Sequence, residues 1–449
     1  MKVLELVEPV RPPLEEIVKA GRRLVSTRTG VIKTVTELAL DQDDPLVFSF
    51  SAATADTSRY SSHQCNVRNG GAAICREDAF LAAIGEAVER YCANFYVRSE
   101  LILSRYLEVA SNAVAPEQFV LFSDQQYRKA AVPFDRFTAS SRLYWTWAYS
   151  LVDRRPKLVP ACFTYLPYEI TEDEARIGPS ISTGLSCAYS LAEAILAGIY
   201  ECIERDAFII MWLNRLRMPV VDVGTGSRGI AELFRERFAL SEIHYCICDI
   251  TSDIQIPTFY CLARGNSAVG MLPCVGTATR LNAEKAVEKA LVESAQGRPF
   301  LRYVLRKERD WDCGEGFSGV RDFDDHARLY SSRPDLIQQL LFVESPPARS
   351  AQDLLNLSTG TVLGDIQICV DALTEKGFDV LVVDLTTRDV EEVGFRVVRV
   401  IVPGLQPLHG DHRFPFLGGR RLYEVPRILG YTAQDTEEEG LSRWPHPFP

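Results

Sequence analysis

The sequence predicts a mixed α/β body of the α+β kind. Short β-rich runs alternate with long helical stretches, three of those helices carry apolar residues on nearly every face, and 47% of the 449 residues are hydrophobic against 24% charged. That balance supplies ample core material and excludes a disordered chain. The length allows two or three domains, or one large enzyme body.

Residues 14–25 read as a short amphipathic helix and Val47 to Phe50 as a strand. Gly70 and Gly71 read as a turn ahead of a helix over 76–96. Residues 115–160 mix short strands and turns, with Trp145, Trp147 and Tyr149 alternating as on a strand. A second turn at Thr183-Gly184 leads into a long helix over 190–213. Strands follow at 245–250 and 258–263, and a third long helical pattern covers 282–303. Residues 306–326 are charged and 344–353 contain Pro-Pro, so both read as loops, the first with a solvated face. A helix over 364–376 and strands over 379–385 and 395–402 complete the body. Residues 431–443 are polar and acidic, and the last six are Trp444-Pro445-His446-Pro447-Phe448-Pro449.

A net charge of −11 with no run of Lys and Arg argues against nucleic acid as a main ligand. The twelve cysteines include no Cys-x-x-Cys pair. The six histidines stand at metal-ligand spacing to none of them, so spacing gives little support to a structural zinc site. Cys92, Cys202 and Cys261 sit in apolar patterns, as small buried hydrophobes do, and a reducing cytoplasm is the expected setting. The first 21 residues carry acids and prolines where a signal peptide needs an apolar run, and no uncharged apolar stretch reaches membrane-spanning length.

The helix over 190–213 poses a burial problem. It is apolar nearly all round, yet Glu193, Glu201 and Glu204 share one face at about 100° per residue, with Arg205 and Asp206 beside them. Clustered buried carboxylates repel one another and cost several kcal/mol or more unless Arg, Lys or a divalent cation compensates. The helix over 76–96 repeats the arrangement in Glu86, Glu89 and Arg90. The third offers Glu284, Glu288, Glu293, Gln296 and Arg298. A salt bridge accounts for any one Glu–Arg pair. Repetition on three apolar helices fits a magnesium–polyphosphate site better, because magnesium takes a few carboxylates plus phosphate oxygens. No Walker A, Rossmann or kinase signature is present.

These residues resemble the YcaO superfamily, and within it the azoline-forming cyclodehydratases of ribosomal peptide natural-product pathways. GEAVERY (85–91) resembles the family's first motif, SLAEAILAGIYECIERDAF (190–208) its central helix and ALVESAQGR (290–298) its third motif. VPGLQPL (402–408) and the ending PHPFP (445–449) resemble its C-terminal stretch and its Pro-x-Pro-x-Pro tail.

The resemblance implies a YcaO-type fold of several sheets and buried helices around a central nucleotide cavity. It divides the chain into an extension (1–25), a catalytic domain (26–430) and a tail (431–449) inserted in the active site. It implies ATP and Mg2+ as cofactors, with Glu86, Glu89, Glu201 and Glu204 as metal ligands. Glu86, Arg90, Glu193, Glu204, Arg205, Glu293, Gln296 and Arg298 would contact nucleotide, and Glu201, Arg205 and the carboxylate of Pro449 would be catalytic. In the implied reaction a Cys, Ser or Thr of a precursor peptide attacks the preceding amide. The hemiorthoamide oxygen is then phosphorylated, and phosphate leaves to give thiazoline or oxazoline. The substrate is a leader plus a Cys/Ser/Thr-rich core. A separate ubiquitin-activating-like (ThiF-like) protein is expected to bind the leader, and a homodimer is allowed.

Alternatives are a thioamide- or amidine-forming YcaO enzyme, or a weakly catalytic subunit that binds substrate and partner. Two positions depart from the family pattern: Ala72, in Gly71-Ala72-Ala73, where Lys is frequent, and Ala82, where Ser is frequent.

Overall fold

A computed structural model describes residues 4–59, 61, 63–129, 132–224, 228–307, 310–346 and 348–449. Parts of four sequence expectations, at residues 1–3, 130–131, 308–309 and 347, lie outside the described residues.

The first layer is helix α1 (Leu14–Arg23) and an antiparallel sheet of β1 (Ile32–Glu37), β2 (Phe48–Thr54) and β3 (Arg68–Ala73), on which α2 (Arg76–Ala93) packs. There follow β4 (Ile102–Arg105), the short helices α3 (Tyr106–Val109) and α4 (Asp124–Arg128), then β5 (Arg142–Ser150), β6 (Arg155–Pro160) and β7 (Leu185–Ala188). Helix α5 (Leu191–Asn214) leads through β8 (Val221–Asp222) and α6 (Arg228–Arg237) to a second antiparallel sheet. Its strands are β9 (His244–Asp249), β10 (Thr258–Ser267) and β11 (Gly270–Thr279), and α7 (Ala283–Lys307) covers it. The remainder holds α8 (Phe323–Ser332), β12 (Arg349–Ser350) parallel to β8, α9 (Val362–Glu375), β13 (Leu381–Asp384), α10 (Arg388–Glu391), β14 (Arg396–Ile401) and α11 (Arg421–Ile428). The largest sheet runs β4-β5-β13-β14-β7, with β6 also on β5, and every pairing in it is antiparallel. This is the mixed body expected from the alternation of elements.

One unit recurs three times: β3-α2, β7-α5 and β11-α7, each a strand that runs on into a helix packed against it. Helix α5 lies at the centre, touching β7, β11, β14, α9 and α11. The Ser190 side chain caps it by accepting the Glu193 N–H at 3.1 Å, and a left-handed Arg215 ends it. Between those ends it is buried almost all round, as its composition requires.

Gly70 and Gly71 belong to β3 rather than to a turn. A Cβ on Gly71 would lie 2.1 Å from the Ala83 backbone nitrogen, so glycine is needed where α2 crosses the strand. Residues 310–326 are not simply a solvated loop: Cys313 and Val320 are buried in a core cluster, and α8 begins at Phe323. Charged neighbours masked their apolar role in the sequence. At the other end of the chain, Ile17, Ala20 and Leu24 join the main core. The Glu8 carboxylate accepts the Val362 and Leu363 N–H groups at 2.8 and 2.9 Å, at the start of α9. All twelve cysteines are free and ten are buried. Among the described residues, no helix is long and apolar enough to cross a membrane.

Candidate active site

Five acidic helix residues are held by donors on a strand or at its start. Gly70 N–H in β3 donates to Glu86 at 2.6 Å, and Cys187 N–H in β7 donates to Glu89 at 2.8 Å. Gly184 N–H, in a left-handed turn (φ 80°), reaches Glu201 at 3.3 Å. Glu204 accepts the Thr277 hydroxyl at 2.8 Å and the Thr279 N–H at 3.2 Å, and Glu293 accepts the Thr277 N–H at 3.4 Å. The three strand-helix units thus aim their carboxylates into one place.

The electrostatics confirm the convergence. Burial raises the Glu86 carboxyl above its ordinary range, with Arg90 opposing and Glu201 and Glu293 adding repulsion. Burial lifts Glu89 to about 8, against Arg90, with repulsion from Glu201 and Glu86. Burial lifts Glu204 to about 7, with Arg205 opposing and Glu293 and Glu201 repelling. Glu86 and Glu201 nonetheless keep 33% and 24% of their side-chain surface accessible.

The compensating cations are few. Arg90 lies 3.6 Å from Glu86, and Arg205 lies 3.6 Å from Glu201 and 3.8 Å from Glu204. Arg399 on β14 was not singled out in the sequence, although an Arg amid the apolar run of 397–402 is the signal that could have found it. Its guanidinium donates to the Thr164 and Thr183 carbonyls at 3.1 and 2.9 Å. Burial lowers it to about 10, with Glu201 opposing that fall and Arg90 adding to it. Fully ionised, the five carboxylates would face three guanidinium groups and the Lys289 ammonium, a deficit of positive charge that a divalent cation can make up. One Nη of Arg205 and one of Arg399 are buried without a hydrogen-bond partner among the described residues, as donors awaiting an anion would be. Orphaned donors beside excess carboxylates fit a magnesium-bound polyphosphate.

Other expected residues fall differently. A Cβ on Gly70 would sit 3.1 Å from Gln296 Nε2, which places Gln296 beside the first unit. Glu193 bonds the Ser190 hydroxyl at 2.8 Å in the first turn of α5, about 12 Å along the axis from Glu201. Glu293 also pairs with Lys289 at 2.6 Å. Arg298 turns away from the cluster. Its guanidinium binds Asp44 at 2.8 Å and the Gly265 and Asn266 carbonyls at 3.4 and 3.1 Å, while Arg302 binds the other Asp44 oxygen at 2.6 Å. Asp44, buried, needs these cations, and they hold its carboxyl below the ordinary range against the opposing effect of burial.

The C-terminal segment is buried rather than frayed. Phe448 lies under the Arg205 guanidinium, 3.9 Å from ring centre to Cζ, and against Phe208. Pro449 itself is exposed. Trp212 and Tyr330 donate to the Trp444 and Pro445 carbonyls at 2.9 and 2.6 Å. An apolar cleft, lined by Phe119, Phe163, Ile181, Cys202, Val402 and Phe416 among others, opens near Thr183.

Comparison with known proteins follows this geometry. A protein of Methanothermobacter thermautotrophicus, described only as uncharacterized, is 28% identical over 421 residues, 92% of this chain and 98% of its own. A heterocyclase solved in complex with substrate and cofactor is 25% identical, with a TM-score of 0.79 over all of this chain, which spans only 59% of that one. The YcaO protein of Methanopyrus kandleri, solved with AMPPCP and Mg2+, shares the fold at 20% identity and a TM-score of 0.63, covering 90% of this chain and 94% of that one. The family model described as YcaO cyclodehydratase, ATP- and Mg2+-binding, matches residues 70–406. That match runs through all three carboxylate-bearing helices and starts at the glycine that holds Glu86; the chain belongs to the YcaO family, whose cofactors are ATP and Mg2+.

Proposed function

We propose that this protein cyclodehydrates Cys, Ser or Thr residues of a ribosomal precursor peptide to thiazolines or oxazolines. The observation that carries the proposal is the excess of carboxylates over guanidinium groups at the meeting of the three helices. Glu86, Glu89, Glu201 and Glu204 would hold Mg2+. Arg90, Arg205 and Arg399 would meet phosphate oxygens, and Glu193, Glu293 and Gln296 would complete the nucleotide contacts. Bound ATP with Mg2+ supplies the phosphoryl group that turns an amide oxygen into a leaving group.

The chain's own residues orient and neutralise. Arg205, between Glu201 and Phe448, stabilises negative charge as it develops next to the tail. The carboxylate of Pro449 takes the proton of the attacking thiol or hydroxyl. The apolar cleft near Thr183 accommodates the peptide core. A separate ThiF-like protein presents the leader.

Incubation with precursor, partner, ATP and Mg2+ is expected to remove the mass of one water per ring. Exchange of oxygen for sulfur would instead identify a thioamide former. An unchanged peptide with partner binding intact would identify a subunit without this chemistry.

A further inference from the structure

Three histidines come together below the tail, away from the carboxylates. His326 on α8 and His409 and His412 in the segment after β14 place one ring nitrogen each within 4.8 Å of one another. His326 and His409 are 0% and 3% exposed. His326 Nε2, His409 Nε2 and His412 Nδ1 are all buried without a well-formed hydrogen bond among the described residues, with only the Gly410 backbone also near the His326 ring. A buried polar atom left unpaired costs about 1–3 kcal/mol, and three that face one another need a common partner.

Two of the opposite ring nitrogens are engaged as those of metal-bound histidines ordinarily are. His326 Nδ1 bonds the His446 carbonyl at 2.7 Å, and His412 Nε2 bonds the Arg443 carbonyl at 3.1 Å. A ligating histidine ordinarily gives its second N–H to a carbonyl or carboxylate in this way. The Asp411 carboxylate faces both rings and supplies opposing charge, with Arg413 bonded to it. His446 is not a ligand: its Nε2 bonds the His409 carbonyl at 2.7 Å and its Nδ1 accepts the Phe448 N–H at 3.3 Å, while the ring stacks on His326 at 3.7 Å. A tetrahedral zinc with nitrogens at about 2.0–2.1 Å needs donors about 3.4 Å apart, a closure of roughly an ångström by side-chain rotation. Two of the three ligands lie beyond the span matched by the family model.

We propose that His326, His409 and His412 bind one Zn2+, which clamps residues 443–446 against α8. Sequence spacing to cysteine could not show this site, because its donors are all imidazoles from two distant segments. The zinc is structural: it polarises the two N–H groups that grip the tail carbonyls.

Full-length protein stripped by chelation would be titrated with Co2+, then with Zn2+, in excess Mg2+ to saturate the carboxylates. One Co2+ per chain is expected, with a tetrahedral spectrum of three nitrogens and one water and no thiolate band, displaced by Zn2+. Hydrogen exchange at 443–448 should slow when zinc is added. His326→Asn and His412→Gln each keep the donor to the tail while deleting the ligand atom, and each should weaken binding by about tenfold or more. No cobalt uptake, a thiolate charge-transfer band, or affinity unchanged in both variants would overturn the proposal. The wild-type spectrum decides even if a variant misfolds.

Discussion

Glu89 and Glu204 show what enclosure does to an ordinary carboxyl. With apparent pKa values of about 8 and about 7 against 4.5, each holds a proton in the folded chain that the unfolded chain has already released. Folding is then linked to proton uptake, so the metal-free protein loses stability as pH rises from about 4.5 to about 8. Melting in chelator should show Tm falling across that window. Mg2+ with a non-hydrolysable ATP analogue should raise Tm most at the alkaline end, because the cation takes the deprotonated form. Glu204→Gln removes a repelled charge, so it should stabilise the metal-free protein above pH 7. The same change should weaken magnesium-nucleotide binding by about tenfold or more, ~1.4 kcal/mol. Calorimetry checks both, and unchanged binding would favour salt bridging by Arg205 as the sole role of Glu204.

At the scale of elements, the strand-helix unit depends on close approach. Gly71→Ala drives a methyl into the α2 backbone and should cost about 1–3 kcal/mol, read by denaturant unfolding. Phe448→Ala removes a ring packed between Phe208 and Arg205 and should cost about 3–5 kcal/mol. The helices α2, α5 and α7 were legible in the sequence because they are long and their charges sit in apolar surroundings. The strand β3 was not, since glycine reads locally as a turn and only the packing of α2 reveals it as a crossing point. The pairing of Arg298 with Asp44 is hidden for a related reason: Asp44 lies in a distant segment, which no spacing rule connects to it. Arg399 and Thr277 escaped notice because each matters only through contacts made across sheets.

Across the whole molecule, the sheets of β1–β3, β4–β7 with β13–β14, and β9–β11 each deliver donors to one acidic centre, and the tail lies along its Arg205 side. Removing residues 445–449 should abolish ring formation with the fold retained, tested by peptide mass and circular dichroism; full activity would refute the tail's role. The overall class was readable from element alternation, whereas the assembly of three sheets around one centre rests on long-range contacts. The buried cysteines add a practical consequence. Burial lifts Cys92, Cys261, Cys274 and Cys369 to about 12, so almost none is thiolate at neutral pH. A peptide cysteine, with an ordinary pKa near 8.5, reacts far faster. Maleimide added to a working mixture would therefore count unconverted substrate thiols together with the accessible Cys75, and its slow attack on the buried cysteines would clock how often the body opens.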